Sequence, residues 1–234
     1  MKKYEAILFD LDGTLLPMDN DVFVQTYMGL LTKKMAPHGY DGKLLISALW
    51  KGTAEMIKND GSRTNAEIFW NYCEKVFGNK IYEDVPVFDS FYENEFHKTA
   101  SVTFPNPLAQ KVVDLARENA DHVILATNPF FPIVAVHARL SWAKVDPASF
   151  DLITTYENSR FCKPNPAYYI EIAKKMNLNL KNCLMVGNNE IEDIATAQSL
   201  GMDTFYLNDY PVCKGEGPET AKGSFEELIA FLQK

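Results

Sequence analysis

Short apolar runs alternating with helical patterns constrain this chain most. Residues 4–9 (YEAILF), 122–127 (HVILAT), 182–187 (NCLMVG) and 203–207 (DTFYL) are short, largely apolar runs whose length suits buried strands. Helical spacing fills about 107–119, 131–142, 165–177, 190–200 and 224–233, and Pro105, Pro132 and Pro166 lie near three of the starts, where proline is tolerated. Strands alternating with helices predict an α/β fold, a doubly wound, Rossmann-like parallel sheet. The stretch 151–157 (DLITTYE) predicts one more strand running into a loop.

Between the first two strands the pattern changes. Leu44, Leu45, Ala48, Leu49, Met56 and Ile57, then Ile68, Phe69, Tyr72, Cys73, Val76 and Phe77, follow helical spacing with no strand alternation. The expected organisation is a core of residues 1–17 and 101–234, with an inserted α-helical cap domain of about four helices over 18–100.

The first strand ends in a way a buried strand should avoid. In FDLDGTLLP, Asp10 interrupts the run AILFDL while it is still apolar. Asp12-Gly13 alone is ordinary turn vocabulary, but an unpaired carboxylate beside a core is costly unless a cation or hydrogen-bond donors compensate it. In an open parallel sheet, ligands bind outside the carboxyl ends of the strands, so residues far apart in sequence converge there. The strand ends and their loops supply Asp10 and Asp12, Thr127 and Asn128, Lys163, and Gly187-Asn188-Asn189 with Glu192 and Asp193 just beyond.

Composition narrows the chemistry. The chain of 234 residues is 47% hydrophobic, and 23 Lys plus Arg against 31 Asp plus Glu give a net charge of −8. That balance, without a basic cluster, argues against a nucleic-acid backbone as partner, whereas a small phosphorylated metabolite needs only one local cation. Cys73, Cys162, Cys183 and Cys213 lack the spacing of a zinc site or a disulfide framework. The N-terminal apolar run is too short for a signal peptide or a membrane span, so the expected location is the cytoplasm.

Two carboxylates, a hydroxyl, a cation and a second acidic loop suit phosphoryl transfer, where positioning and charge neutralisation supply most of the catalysis. Asp10 is the candidate nucleophile, forming an aspartyl-phosphate. Asp12 is the candidate general acid and then base. Thr127 and backbone N–H groups would hold phosphoryl oxygens, and Lys163 would offset the negative charge. Magnesium, a hard cation, would bridge Asp10, a carbonyl of the same loop, the acidic loop and the phosphate.

The motifs DLDGT at 10–14, LATN at 125–128, KPNP at 163–166 and VGNNEIED at 186–193, followed by AQSLGM at 197–202, resemble in order those of the haloacid dehalogenase-like (HAD) hydrolases with a helical cap inserted after the first motif. The resemblance implies that Asp10 attacks and Asp12 shuttles the proton while offering its carbonyl to Mg2+. It implies that Thr127 and Lys163 bind phosphate and that the acidic loop completes the metal site, with Asn188 and Asp193 as its candidates. The family pattern has aspartate directly after the glycine; here Asn188 stands there, an oxygen donor without charge. Asp193 is in register with the second acid of the pattern, and Glu192 is a weaker candidate.

The expected activity is a magnesium-dependent phosphatase of small phosphomonoesters. A phosphomutase shares both aspartates. A non-catalytic binding or regulatory protein would fit Asn188 but not the retention of Asp10, Asp12, Thr127 and Lys163, and an acid at position 12 argues against a dehalogenase. His38, His97, His122 and His137 have no partner at ligand spacing. Cys162 reads as a packed thiol and Tyr168-Tyr169 as helix core; Arg160 and Phe130-Phe131 are pocket candidates for which loop or core roles serve as well.

Overall fold

A computed structural model describes residues 2–213 and 219–234. Strand β1 (Tyr4–Phe9) leads into helices α1 (Asn20–Met35), α2 (Gly42–Ile57), α3 (Asn65–Phe77), α4 (Lys80–Glu83) and α5 (Val85–Glu93), then a 3-10 stretch, Glu95–Val102. The remainder alternates: α6 (Ala109–Asn119), β2 (Ala120–Leu125), α7 (Ile133–Ala143), β3 (Leu152–Ile153), α8 (Pro166–Met176) and β4 (Cys183–Gly187). A π-helical turn at Glu190–Ala195 then precedes α9 (Thr196–Ser199), β5 (Asp203–Leu207), β6 (Ala221–Gly223) and α10 (Phe225–Leu232).

The six strands form one all-parallel sheet in the order β3-β2-β1-β4-β5-β6. Both faces are covered, as an all-parallel sheet requires. Ile7, Phe9, Val123, Leu125, Leu184 and Val186 face one apolar cluster, and Ala6, Leu8, Ile124, Cys183 and Met185 face the other with Tyr168, Tyr169 and Ile172 of α8. The doubly wound sheet expected from the sequence is therefore present.

Several local expectations are corrected. The second strand stops at Leu125, not Thr127, because the Thr127 carbonyl accepts from Thr154 Oγ1 at 2.7 Å and Tyr168 Oη at 2.9 Å rather than from a ladder N–H. The strand expected over 151–157 shrinks to Leu152–Ile153, since Asn158 turns the chain by accepting from Thr155 N–H at 2.9 Å and donating to the Ile153 carbonyl at 2.8 Å. The helix expected over 190–200 begins as a π turn, in which Thr196 Oγ1 donates to Ile191 O at 2.8 Å. Strand β6 has no apolar alternation to announce it, and α1 was absent from the apolar stripes that marked the insertion.

The sheet order reverses across β1 and β4, which opens a crevice at their carboxyl ends. Phe9 is in register with both Leu125 and Val186, so β1, β2 and β4 end at one level. Asp10 N–H donates to Val186 O at 2.9 Å, and Ala126 N–H to Phe9 O at 2.7 Å. Where the chain leaves for the helical insertion and returns, Met18 and Thr103 form an antiparallel bridge and Phe104 N–H donates to Pro17 O at 2.8 Å. The insertion is thus rooted at two adjacent points above that crevice.

Candidate active site

Asp10 sits one residue past the buried end of β1. Its Oδ1 accepts from Lys163 Nζ at 2.9 Å, and its Oδ2 lies 3.1 Å from Thr14 Oγ1. Lys163 is 1% exposed and also donates to Asp193 Oδ1 at 2.6 Å, so one cation joins two carboxylates carried by different strands. Burial opposes the lysine's charge, but Asp10 and Asp193 together hold its pKa well above the usual lysine value. For Asp193, burial pushes the carboxyl above the usual range and Lys163 pulls it back. Its Oδ2 accepts from Asn189 N–H at 3.0 Å, so both of its oxygens are engaged.

Lys163 is placed by the loop before α8, where Asn165 caps the helix by accepting from Ala167 N–H at 2.9 Å and Pro166 occupies its first turn. Two glycines admit the acidic loop to β1. At Gly187 an added Cβ would collide with the Asp193 carboxylate, and at Gly13, with φ of +81°, it would strike Asn188 Nδ2. Gly13 therefore meets two demands, a left-handed backbone and the close approach of Asn188.

The Asn188 amide is oriented by its partners. Nδ2 donates to Tyr210 O at 2.6 Å, which the amide oxygen could not do, and this turns Oδ1 to within 3.1 Å of Thr14 Oγ1. The Thr14 hydroxyl thus faces two acceptors, Asp10 Oδ2 and Asn188 Oδ1, with a single proton, and leaves one of them with unused lone pairs. Among the described residues no three His, Cys, Asp or Glu side chains converge as a metal-binding group. The oxygens beside Thr14 nevertheless fit a hard cation, because the site holds the carboxylates of Asp10, Asp12, Glu192 and Asp193 against the cations of Lys163 and Arg139.

Asp12 has a partner that sequence reasoning missed. Its Oδ2 is held by Nη1 of Arg139, a fully buried residue of α7. Arg139 Nε donates to Ala135 O at 3.2 Å, and the guanidinium lies 4.4 Å from the centre of the Phe131 ring. Burial raises the Asp12 pKa, and Arg139 opposes that rise. The signal was available: Arg139 interrupts the apolar helix IVAVHARLSWA as Asp10 interrupts its strand.

Thr127 and Asn128 follow β2 and line the same cavity as Asp10 and Asp12. Asn128 Nδ2 donates to Glu192 Oε2 at 3.0 Å and to Lys163 O at 3.3 Å, while its buried Oδ1 has no hydrogen-bond partner among the described residues. Tyr168 and Tyr169 do more than fill the core: their hydroxyls donate at 2.9 Å each to Thr127 O and Glu192 O, fixing two of the loops that frame the cavity. Cys162 is packed as a thiol, with burial pushing its pKa up to about 12.

Arg160 lies away from the cavity and donates to Gly61 O at 3.1 Å, while Phe130 and Phe131 do line it. Of the histidines, His97 accepts from Trp142 Nε1 at 3.3 Å and His122 lies 3.6 Å from Asp151 Oδ2. No helix of the described residues is long and apolar enough to cross a membrane.

The chain is similar to known proteins in sequence and in fold. The haloacid dehalogenase-like hydrolase family pattern matches residues 4–201. A phosphoglycolate phosphatase of Photorhabdus laumondii is 26% identical over 237 residues, covering 99% of this chain and 94% of the relative. One of Psychrobacter arcticus is 22% identical over 244 residues, covering 98% and 96%. The solved structure of the HAD hydrolase YfnB from Bacillus subtilis superposes over the whole of both chains with a TM-score of 0.58 at 19% identity, a likeness of fold. With a parallel sheet, four ordered motifs and a helical insertion between its first two core strands, this chain belongs to the haloacid dehalogenase-like hydrolase family, in its helical-cap group.

Proposed function

We propose that the chain is a magnesium-dependent phosphatase of small phosphomonoesters, in which residues 1–17 and 101–234 carry the chemistry and the helices of 18–100 act as a cap. The observation that supports this best is the Asp10–Lys163–Asp193 array in the segments that follow β1, β3 and β4, facing a cavity that also holds Asp12 and Thr127. Asp10 attacks phosphorus, and the bond from phosphorus to the leaving oxygen breaks as Asp12 gives that oxygen its proton. Water then attacks the aspartyl-phosphate, Asp12 takes the water proton, and inorganic phosphate leaves with Asp10 regenerated. Arg139 keeps Asp12 in place between these steps, and burial keeps its pKa raised, which suits a group that starts as an acid.

Lys163 neutralises Asp10 and Asp193 together and, with Thr127 and Asn128, receives the phosphoryl oxygens. Asp10, Asn188 and the Asp12 carbonyl would hold the cation, and Asp193 supports them through Lys163 and Asn189. The bound ion would supply positive charge opposite the phosphoryl group. The Bacillus subtilis relative was solved bound to magnesium, and both curated relatives are named as phosphatases. The competing reaction within the family, transfer of the phosphoryl group between positions of a sugar phosphate, is separated by following release of inorganic phosphate.

The test is p-nitrophenyl phosphate turnover at millimolar Mg2+, with excess EDTA and with Asp10→Asn as comparisons. Metal-dependent phosphate release that is lost in Asp10→Asn is expected. No turnover, or an Asp10→Asn variant as active as the parent, refutes the reading.

A further inference from the structure

The cavity above Asp10 is about 300 Å³, at the lower end of the range for small-molecule sites. Its floor is polar and its other walls are not. Phe23 and Tyr27 of α1, Phe69 and Trp70 of α3, and Phe131 and Tyr156 of the core loops surround the space where the leaving group must sit. No Lys, Arg or His lines it among the described residues. Several polar atoms of that wall already have partners: Tyr27 Oη lies 3.0 Å from Tyr92 Oη, Trp70 Nε1 donates to Tyr156 Oη at 3.3 Å, and Thr53 Oγ1 donates to Leu49 O at 2.9 Å, while the Asn20 amide stands at the rim among exposed residues.

The rings are rigidly mounted. Trp70 packs edge-on against Phe69 and Phe88, with centroids at 5.3 and 5.4 Å. Its bond to Tyr156 also joins the insertion to the core across the cavity. A leaving group with its own carboxylate would enter this space with no cation to meet it, against negatively polarised ring faces and beside Asp12 and Glu192. A neutral ring would gain offset or edge-on contacts there and lose little hydration.

We propose that this cavity takes phosphomonoesters of neutral, aromatic-bearing alcohols and discriminates against anionic leaving groups, including the glycolate of the relatives' named substrate. This deepens the phosphatase reading and rests on it for turnover. The test compares kcat/KM for 4-nitrobenzyl, 4-carboxybenzyl and 2-phosphoglycolate esters, together with tryptophan-fluorescence binding of benzylphosphonate and phosphonoacetate, which need no catalysis.

The expected result is at least a 10-fold preference for the 4-nitrobenzyl ester over its charged isostere and over phosphoglycolate, with benzylphosphonate binding tighter than phosphonoacetate by a similar factor. Trp70→Leu should shrink the nitrobenzyl-to-phosphoglycolate ratio at least fivefold, whereas a ratio left unchanged counts against Trp70 as its source and against the proposal. Turnover of phosphoglycolate equal to or above that of the neutral ester overturns the proposal and leaves the phosphatase reading standing. Selective benzylphosphonate binding without turnover of any ester refutes the phosphatase reading and supports the cavity assignment; neither binding nor turnover overturns both.

Discussion

The floor and the walls of the cavity are built on opposite principles. On the floor, nearly every side chain is charged or amide-bearing and holds another: Asp10 with Lys163, Lys163 with Asp193, Asp12 with Arg139, Asn128 with Glu192. On the walls, aromatic rings pack against rings, and the hydroxyls of Tyr27 and Tyr92 meet each other while Tyr156 accepts from Trp70. The floor comes from the loops and turns that follow the strand ends of the sheet, with Arg139 added from α7. The walls come mostly from the inserted helices, which can change without disturbing the register of that sheet. The proposed chemistry and the proposed selection thus fall to different parts of the chain, and each can be perturbed separately.

The harshest break of the floor is Asp10→Asn. It keeps the shape and removes the proposed nucleophile, so kcat for phosphate release should fall about 10⁴-fold, or about 5.5 kcal/mol of transition-state stabilisation, in steady-state assays. Next is Lys163→Met, which leaves Asp10 and Asp193 facing each other in a dry site. Breaking a buried ion network by removing its cation costs about 4 kcal/mol, visible as a lower urea midpoint, and turnover should be lost as well. A midpoint unchanged from the parent would mean that the pairs contribute nothing to the fold.

Arg139→Met tests the link between the two regions, since the guanidinium holds Asp12 on one side and stacks on the wall residue Phe131 on the other. It should cost about 3 kcal/mol in urea denaturation. It also carries a sign. Arg139 opposes the burial that raises the Asp12 pKa, so its loss raises that pKa further. The acid then stays protonated to higher pH, and the alkaline limb of kcat/KM moves upward. A limb that stays in place would remove Asp12 from the proton-transfer role.

The smallest effect is expected from Asn188→Asp. A carboxylate there adds charge for Mg2+ but cannot donate to Tyr210 O, so the metal-free protein should lose about 1–2 kcal/mol while half-saturation falls to lower Mg2+. Thermal melts with and without metal would read both terms, and an unchanged Mg2+ titration would exclude residue 188 as a ligand.

Much of the core was legible because its signals are local. A parallel sheet buries both faces of its strands, so β1, β4 and β5 appear as largely apolar runs and their ends could be placed within a residue. A charge that interrupts such a run is likewise visible, which is how Asp10 attracted notice. Less was legible where pairing replaces pattern. The Thr127 carbonyl leaves the ladder for two hydroxyls, and β6 is three residues with nothing apolar to mark it. Thr14 looked like an ordinary member of DLDGT until Asp10 and Asn188 were found on either side of its hydroxyl.

By itself the sequence determined the α/β sheet, the long helical insertion after β1, and the set of polar residues available at the strand ends. Only the tertiary structure decided which of them meet. Lys163 and Asp10 are separated by 153 positions, Arg139 and Asp12 by 127, and such pairs depend on strand order and helix packing that no local spacing records. The apolar character of the walls has the same origin. In sequence Phe69 read as helix core and Phe131 as a pocket candidate, while Phe23, Tyr27 and Trp70 carried no signal of their own; they line one cavity because the insertion sits over the crevice and leaves between them a space about as large as one small ligand.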